Sequence, residues 1–465
     1  MTSALVPTRR TSLKAAAALA LQGAWPGPSL AQAAPTPRSE GPLGPLLARR
    51  LQHQGVALAA MRIRQGQAEH GSAAVRGPLP DALDLFALGS ITKTFTALLL
   101  ADAVVRGEIR LDDAVEDVLP DGLRLRDSRD QPLRWRDLAT HRSGLPRLPG
   151  NLLTAGAADP YAGYGWREMA LFLRGWRGSR PRDTQYAYSN LGYGLLGQAL
   201  ALRAGAGDYP ALLARRVLQP LGLAADIGFA APAGRRTVQG HDADGRPAGP
   251  WHFEPAMAGA GALLGCTRGL QRYAQAALGA FEHPLQPAFT LCLQRHGDGP
   301  GPINPVGLAW LLAPLDGRTL FNHEGATAGF AASLWLDPVR RTAAAVLSGA
   351  ATEVGDLALH LAAPEVPPKD FAATRQAAME LPADAVAPLT GVYAFTPQFK
   401  LQLRAEGARL FAQATGQGEF ELFAQGPRRF FARVTPLEVA FEGEQGVPPA
   451  LLLFQGGQQM RAVRE

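Results

Sequence analysis

Residues 89–107 read GSITKTFTALLLADAVVRG, and this stretch decides how the rest of the chain is interpreted. Its apolar residues recur at a spacing of three to four, which is typical of a helix. Gly107 ends the pattern, and Ser90 stands at the N-terminal edge of the predicted helix. Lys93 follows Ser90 by three residues, so the serine hydroxyl and the lysine amine share one face of that helix.

A serine and a lysine at this spacing can act as a nucleophile and its base. The dipole at a helix N-terminus favours negative charge on Ser90 and disfavours the ammonium form of Lys93. Burial would also favour a neutral amine that can take the serine proton, whereas an arginine would stay protonated. The alternative is an exposed helix lysine that follows a capping serine.

The composition of the chain makes Lys93 conspicuous. The 465 residues include 46 Lys+Arg against 40 Asp+Glu, and 47% hydrophobic residues exclude a disordered or fibrous protein while allowing two or three domains. The only lysines are Lys14, Lys93, Lys369 and Lys400. The many arginines are spread along the chain and are not gathered into a basic stripe, so we expect no nucleic-acid partner.

Residues 1–33 have the pattern of an export signal. The basic start consists of Arg9, Arg10 and Lys14. A short apolar run, Ala15–Leu21, follows it, and Ala31-Gln32-Ala33 has the small-x-small pattern of a cleavage site. The stretch 8–14 resembles a twin-arginine signal, and the alternative is an ordinary secretory signal with two arginines. Both routes lead to the periplasm, with a mature chain that begins near Ala34. No later apolar run approaches the length of a membrane span.

Cys266 and Cys292 are the only cysteines in the sequence. An oxidising compartment would allow them to form one bridge, but we expect two separate thiols in a packed core. Neither the cysteines nor the histidines have the spacing of metal ligands. The sequence therefore predicts no metal site and no cofactor.

Strand patterns flank a long helical region. A predicted hairpin, Gly55–Ile63 and Gln67–Val75 with a turn at Gln65-Gly66, comes first, and residues 111–291 contain several short helical patterns. Strands are again predicted at Leu308–Leu312, Thr319–His323, Ala331–Leu336 and Thr342–Ser348. A helix is predicted at Val354–Ala362, and a linker begins at Pro364. We predict an α/β domain over residues 34–370, with an antiparallel sheet flanked by helices and an inserted all-helical subdomain.

Beyond Leu389 the pattern changes to short alternating runs separated by Gly, Pro and Glu. Seven such runs lie between Phe399 and Val463. This spacing predicts a separate antiparallel β domain, which we place at residues 385–465.

Two further motifs could meet Ser90. Tyr188-Ser189-Asn190 precedes a helical pattern, and in an extended segment Tyr188 and Asn190 would face the same cleft. A phenol beside a lysine can relay a proton, and an asparagine offers a donor and an acceptor to a substrate amide. His323-Glu324-Gly325 closes a predicted strand, where Gly325 would allow a substrate to approach and the amide of Ala326 could face an oxyanion.

Together, Ser-x-x-Lys at 90–93, Tyr-x-Asn at 188–190 and His-x-Gly at 323–325 resemble the motif set of the penicillin-recognising serine hydrolases. These include class C β-lactamases, DD-peptidases and related esterases and aminopeptidases. The segments 107–120, 138–146 and 220–223 are similar to other segments of that family, so the resemblance covers residues 50–362. Residues 389–465 resemble a lipocalin-like β domain that is appended to many such hydrolases.

The resemblance implies a β-lactamase/transpeptidase-like fold and a role for each motif residue. Ser90 would be the acylated nucleophile, and Lys93 would be its base. Tyr188 would carry the proton to the leaving group, and Asn190 would hold the substrate amide. The oxyanion hole would consist of the backbone amides of Ser90 and Ala326.

Two histidines are interpreted by the same resemblance. His323 stands where class C β-lactamases carry a lysine that faces the substrate carboxylate, which favours a peptidase or an esterase over an efficient β-lactamase. His141 falls in a family turn without a chemical role, so we expect it to be structural.

The expected function is that of a periplasmic serine hydrolase with an acyl-enzyme on Ser90. Its substrate would be a small molecule or a peptide: a peptidoglycan stem peptide ending in D-Ala-D-Ala, a β-lactam or a small ester. The alternative is a protein that binds penicillin or peptidoglycan without turnover.

Overall fold

The computed structural model describes residues 36–152, 159–242, 245–300, 304–369, 378–396, 399–415, 419–432, 437–455 and 458–465. The predicted export signal at 1–33 and the start of the mature chain near Ala34 lie outside the described residues, and so does part of the predicted linker after Pro364. Within the described ranges, no helix is long and apolar enough to cross a membrane.

The N-terminal body, residues 36–369, is built on an antiparallel sheet. Its strands are β1 (Arg38–Glu40), β2 (Ala57–Arg64), β3 (Gln67–Ala74), β4 (Phe86–Ala87), β5 (Ile227–Gly228), β6 (Leu264–Gly265), β7 (Gly297–Asp298), β8 (Pro305–Val306), β9 (Leu311–Leu315), β10 (Arg318–Thr327), β11 (Phe330–Asp337) and β12 (Thr342–Ser348). The main sheet has the order β1-β3-β2-β12-β11-β10-β9-β8-β7, and β4-β6-β5 form a small second sheet. The predicted antiparallel sheet is confirmed.

Helices cover the sheet and fill the long interval between β3 and β9. They are α1 (Gly44–Leu51), α2 (Thr92–Val105), α3 (Trp135–Ala139), α4 (Trp166–Gly175), α5 (Asn190–Arg203), α6 (Tyr209–Leu213), α7 (Pro255–Gly261), α8 (Thr267–Ala277), α9 (Gln286–Cys292) and α10 (Gly355–Ala362). This arrangement confirms the predicted helical insertion between strands, although the insertion also contains the short paired strands β5 and β6.

The two faces of the sheet bury separate apolar clusters because successive strand residues point to opposite sides. On β2, Met61 and Ile63 join the large cluster that surrounds α2. Leu58 and Ala60 join a smaller cluster with side chains of α1 and α10. The main sheet is therefore covered by helices on both faces.

The predicted hairpin is confirmed as β2 and β3. Its turn residues Gln65 and Gly66 both have positive φ, 51° and 77°. A two-residue turn of this handedness matches the right-handed twist of the strands, and glycine adopts it without steric cost.

The helix predicted after Ser90 begins with a 3-10 turn, Gly89–Ile91, and continues as α2. It is buried on all sides, including Thr92, Thr94 and Thr96, and not along one stripe alone. The hydroxyls of Thr94 and Thr96 find backbone carbonyls: Thr94 donates to the Ile91 carbonyl at 2.8 Å. The Thr96 hydroxyl contacts the Gly259 carbonyl at 2.8 Å.

Two strand predictions differ from the structure. The strand predicted at 308–312 is β9, which begins only at Leu311 because Ala309, with φ 69°, turns the chain. The motif His323-Glu324-Gly325 was expected to close a strand, but β10 continues to Thr327 because it keeps pairing with β11 through Ala326 and Ala331. The motif therefore lies inside a paired strand.

The two cysteines are free and buried. This confirms the expectation of two separate thiols. Burial raises the pKa of both thiols, so neither is poised to react as a thiolate.

The C-terminal barrel, residues 391–464, follows the short helix α11 (Ala383–Val386). Its strands are β13 (Gly391–Thr396), β14 (Phe399–Glu406), β15 (Arg409–Ala414), β16 (Glu419–Gly426), β17 (Arg429–Ala432), β18 (Leu437–Phe441), β19 (Ala450–Gln455) and β20 (Gln458–Arg464). Antiparallel neighbours pair in sequence, and β20 pairs with β13 to close the barrel. The barrel has its own apolar core, so the separate β domain is confirmed; the boundaries at 370 and 385 stay predictions.

The packing of α2 gives a stability prediction. Leu98 is fully buried, so Leu98→Ala should lower the free energy of unfolding by about 2–5 kcal/mol through lost burial and a residual cavity. The control Leu171→Ala, on a side chain that is 68% exposed, should change it by less than about 0.5 kcal/mol. All tryptophans precede residue 336, so tryptophan fluorescence during urea unfolding reports on the N-terminal body. Equal stability of the two variants would contradict the described packing.

Candidate active site

Lys93 lies at the centre of the site and is fully buried. Its Nζ atom is 3.0 Å from Ser90 Oγ, 2.8 Å from Asn190 Oδ1 and 2.6 Å from the Ala260 carbonyl oxygen. A neutral amine has two N–H groups, which can donate to Asn190 and Ala260. The nitrogen lone pair is then free to accept the proton of the Ser90 hydroxyl.

The environment of Lys93 favours that neutral form. Burial lowers the pKa of Lys93 well below its ordinary value, and the positive charge of Arg147 lowers it further. An amine with a depressed pKa is deprotonated at a pH where an ordinary lysine is charged, so Lys93 is suited to act as a base.

Tyr188 closes one side of the site. Its ring centroid is 4.8 Å from Lys93 Nζ. Desolvation raises the pKa of Tyr188 to about 12, although a hydrogen bond with Ser90 and the charge of Arg147 oppose the increase. The phenol is therefore protonated near neutral pH and can donate a proton.

Asn190 and Ser189 point in different directions, as the predicted alternation required. Ser189 caps α5: its Oγ accepts from the Gly192 amide at 2.8 Å and donates to the Pro146 carbonyl at 2.7 Å. Asn190 faces the site, where its Oδ1 accepts from Lys93 and its Nδ2 donates to the Tyr161 hydroxyl at 3.0 Å. In this state the Asn190 amide holds Lys93 and Tyr161.

His323 reaches the site from β10 and is nearly fully buried. Its Nδ1 donates to the Glu324 carbonyl oxygen at 2.7 Å, because a carbonyl can only accept. Burial lowers the pKa of His323 to about 3, and any ammonium form of Lys93 would act in the same direction. The imidazole is thus neutral with an unprotonated Nε2, so it offers an acceptor and not a cation.

Backbone packing brings β10 against the turn that carries Ser90. A Cβ atom at Gly325 would overlap the Leu88 carbonyl oxygen and lie 3.1 Å from the Ser90 amide nitrogen. A Cβ atom at Gly89, whose φ is 51°, would lie 2.7 Å from the Ala326 amide nitrogen. Both glycines are therefore required by the close approach, which draws the Ser90 and Ala326 amides into one neighbourhood.

His141 supports the site without facing a substrate. Its Nδ1 accepts from the Ser189 amide at 3.0 Å, and its ring centroid is 4.3 Å from that of Tyr188. Burial lowers its pKa well below the usual value, so the ring is neutral. These contacts agree with the structural role that was expected for His141.

Sequence reasoning missed three groups that contact or influence the site residues: Arg147, Tyr161 and the Ala260 carbonyl. Arg147 directly follows the segment 138–146, and its Cζ atom is 5.1 Å from the Tyr188 ring centroid. Tyr161 is buried and stacks on Phe253, with centroids 4.3 Å apart. Of the three, only Arg147 adjoins a recognisable motif; the other two are brought in by long-range packing.

The site opens into a cavity of about 480 Å³. Its lining includes Ser90, Arg147, Tyr188, His323, Ala326 and Glu353. This volume is typical of small-molecule sites. In the part of the chain that the structure describes, no group of three or more His, Cys, Asp or Glu residues could hold a metal ion.

Residues 45–364 match the family described as Beta-lactamase. The chain is 28% identical over 276 residues to the D-alanyl-D-alanine-carboxypeptidase/endopeptidase AmpH of Escherichia coli K12, covering 56% of this chain and 69% of that one. It is 29% identical over 284 residues to penicillin-binding protein 4 of Amycolatopsis lactamdurans, covering 57% of this chain and 72% of that one.

Solved structures show the same fold. A class C β-lactamase from Rhodobacter sphaeroides matches with a TM-score of 0.57 at 22% identity, over 69% of this chain and 96% of that one. An octameric penicillin-binding protein homologue from Pyrococcus abyssi matches with a TM-score of 0.61 at 19% identity, over 90% of this chain and 98% of that one.

The burial of Lys93 predicts the pH dependence of Ser90 reactivity. The rate of Ser90 labelling by a fluorophosphonate probe should rise with pH through the depressed Lys93 pKa, because only the neutral amine accepts the serine proton. Lys93→Arg should slow labelling on the order of 10²- to 10⁴-fold, since a guanidinium stays protonated.

Lys400→Arg is the matched control, because Lys400 lies in the barrel and pairs there with Glu465 at 2.7 Å. It should leave the labelling rate and its pH profile unchanged. An acid limb near the ordinary lysine pKa of about 10.4, or wild-type labelling of Lys93→Arg, would contradict the assignment.

Proposed function

Because the chain belongs to the beta-lactamase family and is therefore a serine hydrolase, we propose that it acts through an acyl-enzyme on Ser90. The observation that carries this proposal is the fully buried Lys93 amine, 3.0 Å from Ser90 Oγ. A lone pair directed at the serine hydroxyl can take its proton as the oxygen attacks a carbonyl.

Acylation would proceed through the residues around this pair. Lys93 takes the Ser90 proton, and Ser90 Oγ forms a bond to the substrate carbonyl carbon. The carbonyl oxygen becomes an oxyanion that faces the amides of Ser90 and Ala326. Tyr188 donates a proton to the leaving nitrogen or oxygen as its bond to carbon breaks, and it is restored by the proton held on Lys93.

Deacylation would reverse the proton movements. A water molecule attacks the ester carbonyl of the acyl-enzyme and gives one proton to the Tyr188 oxygen, while the Tyr188 hydroxyl passes its own proton to the neutral Lys93 amine. Collapse of the intermediate breaks the bond to Ser90 Oγ, which regains a proton, and releases a carboxylic acid. Asn190 would position the substrate amide through the second N–H of its Nδ2 and the second lone pair of its Oδ1, because the first of each is engaged by Tyr161 and Lys93.

The proposed substrates are D-Ala-D-Ala-type peptides, small esters and β-lactams. One relative is named as a D-alanyl-D-alanine carboxypeptidase, and others are named β-lactamases, which supports this range. His323 supplies no cation on β10, where class C β-lactamases carry a lysine and the peptidases and esterases that the motifs resemble tolerate a histidine, which favours peptides and esters over β-lactams. Export to the periplasm belongs to the same proposal and rests on the pattern of residues 1–33.

The first test concerns the nucleophile. Ser90→Ala should abolish covalent labelling by a fluorescent penicillin and by a fluorophosphonate, because no other hydroxyl is paired with Lys93 among the described residues. Ser128→Ala, at an exposed serine outside the cavity, should label like the wild type. Labelling that persists in a folded Ser90→Ala variant would rule out Ser90.

The second test separates hydrolysis from binding without turnover. Steady-state rates should be measured side by side on an acyl-D-Ala-D-Ala peptide, a p-nitrophenyl ester and a cephalosporin. We expect continuous turnover on the peptide or the ester and the slowest turnover on the cephalosporin. A stoichiometric burst with no further product on all three would instead identify a penicillin- or peptidoglycan-binding protein.

A further inference from the structure

The charged side chains of the cavity are divided between two walls. Arg147 lies on the wall formed by the segment before α4 together with Tyr186 and Tyr188. Glu324 and Glu353 lie on a second wall, where β10 meets the start of α10. The cavity that contains Ser90 is therefore lined by one guanidinium and by two carboxylates.

The acidic wall is unsuited to an anion. Desolvation raises the pKa of Glu324, and so do the negative charges of Glu353 and Asp356. Lys369 forms an ion pair with Glu353 and only partly offsets these charges. His323, the neighbour of Glu324, is neutral and presents an acceptor, and the cation near this wall, Lys369, is already paired with a carboxylate.

Arg147 is the positive group of the other wall. Its side chain is exposed to the cavity, and within the described residues no carboxylate lies within ion-pair distance of its guanidinium. Arg142, five positions earlier, is instead paired with Asp183 at 2.6 Å. The charge of Arg147 is therefore available to a ligand.

The backbone of Arg147 is held in place by α5. Its carbonyl oxygen accepts from the Asn190 amide at 2.9 Å and from the Leu191 amide at 3.3 Å. Its guanidinium carbon is 5.1 Å from the Tyr188 ring centroid, a distance typical of cation–π contacts. The cation is thus fixed beside the phenol that faces Ser90.

This position identifies the part of the substrate that Arg147 can reach. Tyr188 is the proposed proton donor to the leaving group, so the leaving atom lies near its hydroxyl. When the leaving group is a C-terminal amino acid, one carbon atom separates its reacting nitrogen from its carboxylate. A carboxylate so placed comes within the range of a guanidinium next to Tyr188, and arginine suits it as a bidentate partner.

We propose that Arg147 binds the carboxylate of the leaving group and thereby selects acyl substrates with a free carboxylate next to the scissile bond. The assignment rests on the proposed function, because it takes Tyr188 as the donor to the leaving group. It places the anion-binding group on the Tyr188 wall and not on β10.

The test compares matched acid and neutral substrates on the full chain. The pairs are an acyl-D-Ala-D-Ala peptide with its C-terminal amide, measured by kcat/KM, and benzylpenicillin with its methyl ester, measured by the rate of Ser90 acylation. Arg147→Gln should lower the acid-to-neutral ratio by about 10- to 100-fold, the range expected for a lost hydrogen bond to a charged group. Arg147→Lys should keep part of the ratio, since it retains a point charge.

The acid-to-neutral ratio also separates carboxylate binding by Arg147 from an indirect effect of Arg147 on the Lys93 base. Arg147 lowers the pKa of Lys93, so its loss slows acid and neutral substrates alike through the base. Rates are therefore compared on the pH plateau of each variant, with Arg64→Gln as a control at an exposed arginine outside the cavity.

An unchanged acid-to-neutral ratio in Arg147→Gln, with reactivity retained, would overturn the assignment of Arg147 alone. Absence of both turnover and Ser90 acylation in the wild type would instead contradict the proposed function, and the inference with it. Equal ratios in Arg147→Gln and Arg64→Gln would exclude a specific role for Arg147.

Discussion

The buried amine of Lys93 is the interaction on which the rest of the site depends. It joins the turn before α2 to Asn190 at the start of α5 and to the Ala260 carbonyl in α7. A charged ammonium would be costly in this position, whereas a neutral amine has its two N–H groups satisfied and one lone pair left for Ser90. One side chain therefore both assembles distant segments and creates the base.

A second constraint comes from the backbone. Gly325 in β10 and Gly89 in the turn before Ser90 pack without side chains between them. The backbone of β10, in the central sheet, thus packs directly against the backbone of the turn that carries Ser90. The charges around this junction differ from wall to wall, with neutral His323 and acidic Glu324 on β10 and cationic Arg147 beside Tyr188.

The sequence predicted features that depend on neighbouring residues. Three such features agree with the structure: the helical period of α2, the Gln65-Gly66 turn and the Ser90–Lys93 spacing. Each depends on residues that are only a few positions apart. The end of β10 and the start of β9 were not predicted, because strand pairing and the positive φ of Ala309 decide them. Tyr161 was missed for the same reason: it reaches Asn190 through packing against Phe253, which no local pattern encodes.

The ionisation of Lys93 is the most direct test of this account. The sequence has four lysines, one of them in the predicted export signal, so the side-chain NMR signals of a lysine-labelled protein can be assigned by substitution. We predict that the signal absent from Lys93→Arg titrates well below the ordinary value of about 10.4, as a neutral amine near pH 7. If every lysine signal instead titrated near that value, Lys93 would be a buried cation and could not be the base.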